Sequence, residues 1–259
     1  MPKLAGPREV LLLVVARAGE AAVQVAGVDS ASGAWVRFVG PGGDHALPLD
    51  ALTLADGSRA AALDTVRFSG VAPQPRPPFA EDVLPDLAAP PVRVSALEDR
   101  ARPRTLTELA APHLDTLLPG GKRVLVPEDF QPGGRQRSLA LIRPDQLGAV
   151  HLAWAGEDVR VGVAFRHRGQ AYGGPMGLEC LDLRLRAYAR ETLKRQGAVS
   201  LSLDAKALAG RFPGARFYLV VGLVEGEKGT EGAEGTFWPQ ILGFHPTRAY
   251  AATVNYGRL

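Results

Sequence analysis

The chain has a single cysteine, Cys180, in 259 residues. No internal disulfide can form, and a cysteine-built zinc ribbon is excluded. No apolar run approaches the ~20 residues of a membrane span. The longest run near the start, Val10–Ala16, is preceded directly by Glu9 and followed by Arg17. It reads as a buried strand rather than the apolar segment of a secretory leader, which leads to the expectation of a cytoplasmic protein without membrane partners. The five histidines, His45, His113, His151, His167 and His245, form no H-x-x-x-H or H-E-x-x-H pattern. No P-loop, G-x-S-x-G or dinucleotide fingerprint opens a helix after a strand. These absences leave no catalytic residue, metal or cofactor to nominate, and the expectation is a non-catalytic protein.

What is present describes a folded, turn-rich chain. Hydrophobic residues make up 46% and charged residues 22%, which excludes wholesale disorder. Thirty glycines and 21 prolines favour many turns and few long helices. Charge is unevenly spread. Residues 1–120 hold 11 Lys/Arg against 14 Asp/Glu, net −3, whereas residues 121–259 hold 19 against 13, net +6. Polyanion binding, if any, belongs to the second half.

Val10–Arg17, Ala21–Asp29 and Ala34–Val39 read as strands separated by the turns Arg17–Glu20 and Asp29–Gly33. In the third, Trp35 and Arg37 share one face, so an aromatic–basic surface is expected opposite the core. Leu47–Leu54 reads as a short helix or turn and Ala62–Val71 as a strand. The proline-dense stretch 72–91 is expected to run extended over the surface. Thr105 and Glu108 have capping-box spacing, predicting a helix from about Thr105 that Pro112 limits. The second half opens with strands at Ser138–Ile142, Val150–Ala155, Val159–Arg166 and Gln170–Tyr172. The strongest helix is Leu181–Gln196, stopped by Gly197. Strands follow at Ala198–Leu203, Arg216–Val224 and Phe237–Phe244. An acidic, glycine-rich loop spans Glu225–Gly235. The pattern predicts a mainly β protein of two tandem five-stranded barrels, residues 1–120 and 121–259, with a β-sandwich as the alternative.

Several short motifs support that outline. Ala26-Gly-Val-Asp29 followed by Ser32-Gly-Ala-Trp-Val-Arg37 resembles the opening of the bacterial dual OB-fold-containing domain. Asp56-Gly57 with Leu63-Asp-Thr-Val66, and Glu81-Asp-Val-Leu84 closing the proline-rich stretch, resemble later segments of that family. So do Ser138–Arg143 and the spacing of Arg160, Phe165, Gly169 and Tyr172. Leu181-Asp182 stands where the family tends to have Thr-Asp before a helix. The resemblance covers most of residues 9–225. It implies tandem OB folds and, by analogy with OB folds in general, a nucleic-acid or nucleotide ligand.

The residue types suit that ligand. Binding a single strand needs cations for phosphates and flat rings for bases. On Val159–Arg166, Arg160 and Arg166 share parity with Gly162 and Ala164, while Val161, Val163 and Phe165 face the other way. A cationic face with small residues between the arginines is expected to admit a close backbone. Arg143, Arg168 and Tyr172 extend it. Arg186, Arg190 and Lys194 recur at i,i+4 on the helix, a self-repelling face that suits an anion. Trp35 and Arg37 form a further candidate surface. The expected partner is single-stranded DNA or RNA. The alternatives are a protein-interaction module using the proline-rich stretch and the acidic loop, and a sensor of a nucleotide ligand.

Overall fold

The computed structural model describes residues 6–76, 78–119, 122, 124–130, 137–226, 235–248 and 254. The acidic loop read at Glu225–Gly235 lies for the most part outside them. The chain is mainly β, and contacts divide it into two compact units. Unit 1 gathers Met1–Glu98, Phe130–Ser138 and Tyr256–Leu259, and unit 2 gathers Asp99–Asp129 and Leu139–Asn255. Among the described residues no sheet closes into a complete barrel.

In unit 1, the apolar run near the start forms the middle of β1 (Arg8–Arg17). It pairs antiparallel with β2 (Ala22–Asp29) and, across its other edge, with β5 (Asp64–Phe68). Val10 and Leu12 to Ala16 are all buried, so both faces of the strand are covered, and continuous hydrophobicity replaces alternation. The turn after β2 is held by the Asp29 carboxylate, which accepts the backbone N–H groups of Ala31 and Ser32 at 3.0 and 2.8 Å. Next come β3 (Trp35–Phe38), the two-residue β4 (Leu47–Pro48) paired with β2, β6 (Val71–Pro73), β7 (Asp82–Pro85) and β8 (Val92–Ala96). The sheet order is β6-β7-β3-β2-β1-β5-β8.

The proline-rich stretch is not a surface crossing. β7 lies inside the sheet between β6 and β3, and Phe79 and Val83 are buried. The prolines are accommodated because Pro73 and Pro85 end their strands, where a missing N–H interrupts little of the ladder.

Unit 2 begins with α1 (Arg102–Leu109). It starts three residues before the expected Thr105, because Pro103 in its first turn supplies a helical φ without needing an acceptor. Glu108 takes the Arg104 guanidinium at 2.7 Å instead of closing a capping box. Three strands, β9 (Leu139–Ile142), β15 (Phe217–Glu225) and β16 (Phe237–Pro246), form one sheet in the order β16-β15-β9. The other runs β12-β11-β10-β14, from β10 (Gln146–Ala155), β11 (Asp158–His167), β12 (Gln170–Tyr172) and β14 (Ser200–Asp204). The short β13 (Leu178–Glu179) also pairs with β11. The chain just after β13 joins the two sheets, for Leu181 donates its N–H to the Ile241 carbonyl at 2.8 Å.

Helix α2 (Leu183–Gln196) follows directly. Asp182 caps it, accepting from the Leu185 N–H at 2.8 Å, while its second oxygen accepts the Phe244 N–H of β16 at 3.1 Å. One buried carboxylate thus fixes a helix start to a neighbouring strand. Burial pushes its pKa up against the pull of those N–H donors. At the other end Gly197 adopts φ +60°, the left-handed stop expected of it. A third helix, α3 (Ala205–Arg211), was not expected from the sequence. It is capped by Asp204, which accepts from the Ala207 N–H at 2.7 Å. No described helix is long and apolar enough to cross a membrane.

Candidate functional site

Arg37 does not lie on a surface. β3 and β7 run parallel, in a register that sets Arg37 opposite Asp82, and both faces of β3 are covered. The Arg37 side chain is 1% exposed, and its Nε donates to Asp82 Oδ1 at 2.9 Å. Its guanidinium lies 4.2 Å from the centre of the Phe79 ring, with that of Arg76 at 4.8 Å. His45 Nε2 is 3.0 Å from the other Asp82 oxygen. Glu81 Oε1 is 3.8 Å from Arg37 Nη2 and accepts both the backbone N–H and the hydroxyl of Ser138.

Burial lowers the Arg37 pKa despite Glu81 and Asp82, raises that of Glu81 despite Arg37, and lowers that of His45 despite Asp82. The expected aromatic–basic surface is therefore corrected at Arg37. Its face of the strand meets the acidic pair of β7, and only Trp35 at the strand end is partly exposed.

In unit 2 the alternation of β11 holds. Val159, Val161, Val163, Phe165 and His167 are buried, and Arg160 and Arg166 are exposed. The small residues between the arginines do admit a backbone, but it is the protein's own. A Cβ on Gly162 would stand 1.9 Å from the Met176 carbonyl oxygen, so the turn before β13 packs directly over that position. Arg166 Nη2 donates to the Gly169 carbonyl at 2.9 Å, and Arg168 Nε donates to the Pro112 carbonyl at 3.1 Å. Tyr172 stacks on Phe165 at 5.0 Å with 13° between the planes. One face of its ring is therefore occupied.

The arginines of α2 are not a repelling solvated face. Arg186 is buried, and its Nη2 lies 2.6 Å from Asp158 Oδ2, while Arg190 Nη2 lies 3.1 Å from Asp158 Oδ1. A single carboxylate at the start of β11 bridges the pair and pins α2 to the sheet. Burial lowers the Arg186 pKa. Lys194 remains exposed one turn further on. The sequence missed this because Asp158 sits 28 positions before Arg186.

Arg143 is exposed at the end of β9, and its carbonyl is 3.2 Å from His167 Nδ1. It borders a recess of about 270 Å³ lined also by Pro144, Asp145, Leu147, Arg216 and Phe217. Arg216 borders a second recess, of about 760 Å³, with Asp99, Arg100, Pro103, Gly214, Thr247 and Arg248. Arg100, Arg216 and Arg248 are far apart in sequence, and no spacing pattern pointed to them.

Two units built on open β-sheets with short helices fit a tandem OB-type binding module. Residues 9–224 match the dual OB-containing domain, and the chain belongs to that family. A search of curated proteins finds no match.

Proposed function

We propose that the protein binds single-stranded DNA or RNA through unit 2. OB folds are recurrent carriers of oligonucleotide sites, and the family membership makes a binding module the starting point. The observation that carries the reading is the division of β11, apolar on its core face and cationic on the other. Among the described residues, Arg143, Arg160, Arg166 and Arg168 are exposed, and no carboxylate lies within ion-pair distance of them. The residues of unit 2, 99–129 and 139–255, hold 19 Lys/Arg against 16 Asp/Glu, net +3, which acts in the same direction.

The test is fluorescence anisotropy of a labelled single-stranded 30-mer over a series of salt concentrations. The parent protein should bind with steep salt dependence. Arg160→Ala with Arg166→Ala should weaken binding at least about tenfold and lower the log–log salt slope by about 0.7 for each phosphate no longer neutralised. Parent-like affinity and slope in that double variant would exclude the face.

A second reading, a protein-interaction module, has one observation in its favour. β8 is the edge strand of its sheet and is exposed along its length, with Val92 and Val94 open to solvent. Such an edge accepts an added strand from a partner. On that reading the 30-mer does not bind near physiological salt.

A further inference from the structure

We propose that the two recesses sharing Arg216 form a seat for consecutive nucleotides of a bound strand. In this arrangement the Phe217 ring receives a base, and Arg143, Arg216 and Arg248 receive the flanking phosphates. The proposal rests on the single-strand reading above and assigns it a second location within unit 2.

The geometry has four parts. The first is the placement of Arg216. Its backbone N–H donates to Thr247 Oγ1 at 2.9 Å, and its carbonyl accepts the Thr247 N–H at 2.8 Å. This reciprocal clamp fixes the main chain from which an exposed guanidinium projects at the boundary of both recesses. The second is the ring. Phe217 opens β15, is half-buried, and is braced by Phe212 at 5.6 Å and Phe244 at 5.5 Å. A ring held this way gives a flat surface at little ordering cost, as base stacking requires.

The third part is charge. The two linings together contain four arginines, Arg100, Arg143, Arg216 and Arg248, and two carboxylates, Asp99 and Asp145. Asp99 is held by the Arg102 guanidinium at 2.7 Å, so it does little to offset the lining arginines. The fourth is size. The smaller recess lies near the lower end of the ~300–1,000 Å³ of small-ligand pockets, and the larger falls well within that range. Arg216 belongs to both, so a ligand spanning them passes its guanidinium. A polymer of alternating base and phosphate matches a ring in one recess and cations in both. An isolated phosphate would use only the cations.

The experiment uses the whole protein, a fluorescein-labelled thymidine 12-mer and, as competitor, inorganic pyrophosphate. Arg216→Ala is expected to weaken 12-mer binding about tenfold and to lower the salt slope by about 0.7. Arg216→Lys should keep the slope, because the charge remains. Phe217→Leu, which preserves bulk without a flat ring, should weaken the 12-mer about tenfold while leaving the slope unchanged. Retention of parent affinity and slope by Arg143→Ala with Arg216→Ala, while Arg160→Ala with Arg166→Ala loses both, overturns the seat and leaves the single-strand reading standing. Pyrophosphate binding as tightly as the 12-mer, with Phe217→Leu silent, makes the recess a free-phosphate site and overturns the assignment to a strand. A parent protein that fails to bind the 12-mer even at low salt removes both proposals together.

Discussion

At the scale of single residues, charge is used in two opposite ways. Arg37 is withdrawn from water and paired with Asp82, whereas Arg143, Arg160 and Arg216 remain at the surface. Removing one member of a buried pair leaves its partner charged and unsolvated. Arg37→Ala should therefore cost about 3–5 kcal/mol of unit 1 stability, read as a shifted urea midpoint, while Arg160→Ala should stay within about 0.5 kcal/mol of the parent. The types of these residues were legible in the sequence, but their burial was not. Trp35 and Arg37 do share a strand face, as parity requires. What parity could not supply was the neighbour, because β7 comes from a segment whose prolines argued against any interior strand.

At the scale of elements, local chemistry was the reliable guide. The β2–β3 turn at Asp29–Gly33, the alternation of β11 and the Gly197 stop of α2 all follow from side-chain and backbone preferences within a few residues. α3 had a legible signal in Asp204, a standard N-cap residue, but the strand pattern just before it obscured a helix of only two turns. Long-range closeness was not legible. Gly162 looked like an opening for a ligand, and the turn over it is visible only in three dimensions. Gly162→Ala should displace that turn from β11 and cost about 1–3 kcal/mol, the usual range for overpacking. Faster amide exchange at Leu178 and Glu179, which pair with Val163 and Gly162, would report the displacement.

At the scale of the whole molecule, the units interleave along the chain. Residues 99–129 belong with the second unit, and 130–138 return to the first. In unit 2, the Ala111 N–H donates to the Leu141 carbonyl at 2.7 Å, and the Thr107 hydroxyl is 2.6 Å from that of Tyr218. A fragment of residues 121–259 lacks both bonds and all of α1, whereas one of residues 99–259 keeps them. The longer fragment should melt higher by several degrees, and the shorter should bind a dye for exposed apolar surface. Equal melting temperatures would show α1 to be dispensable. A mainly β composition and a tandem plan could be read from turn spacing and strand content. The interleaving could not, since nothing in local sequence reveals that a chain leaves one unit and comes back.

That return has a consequence during synthesis. Glu81 takes its backbone donor from Ser138, a residue 57 positions later. While the ribosome is still translating the intervening codons, the nascent amino-terminal unit has Arg37 beside this acid but not its serine donors. Meanwhile the stretch through Asp129, destined for the other unit, has already been polymerised. The order of translation thus delays the first unit's closure until residue 138 has been made, after the second unit's opening segment but before the rest of it.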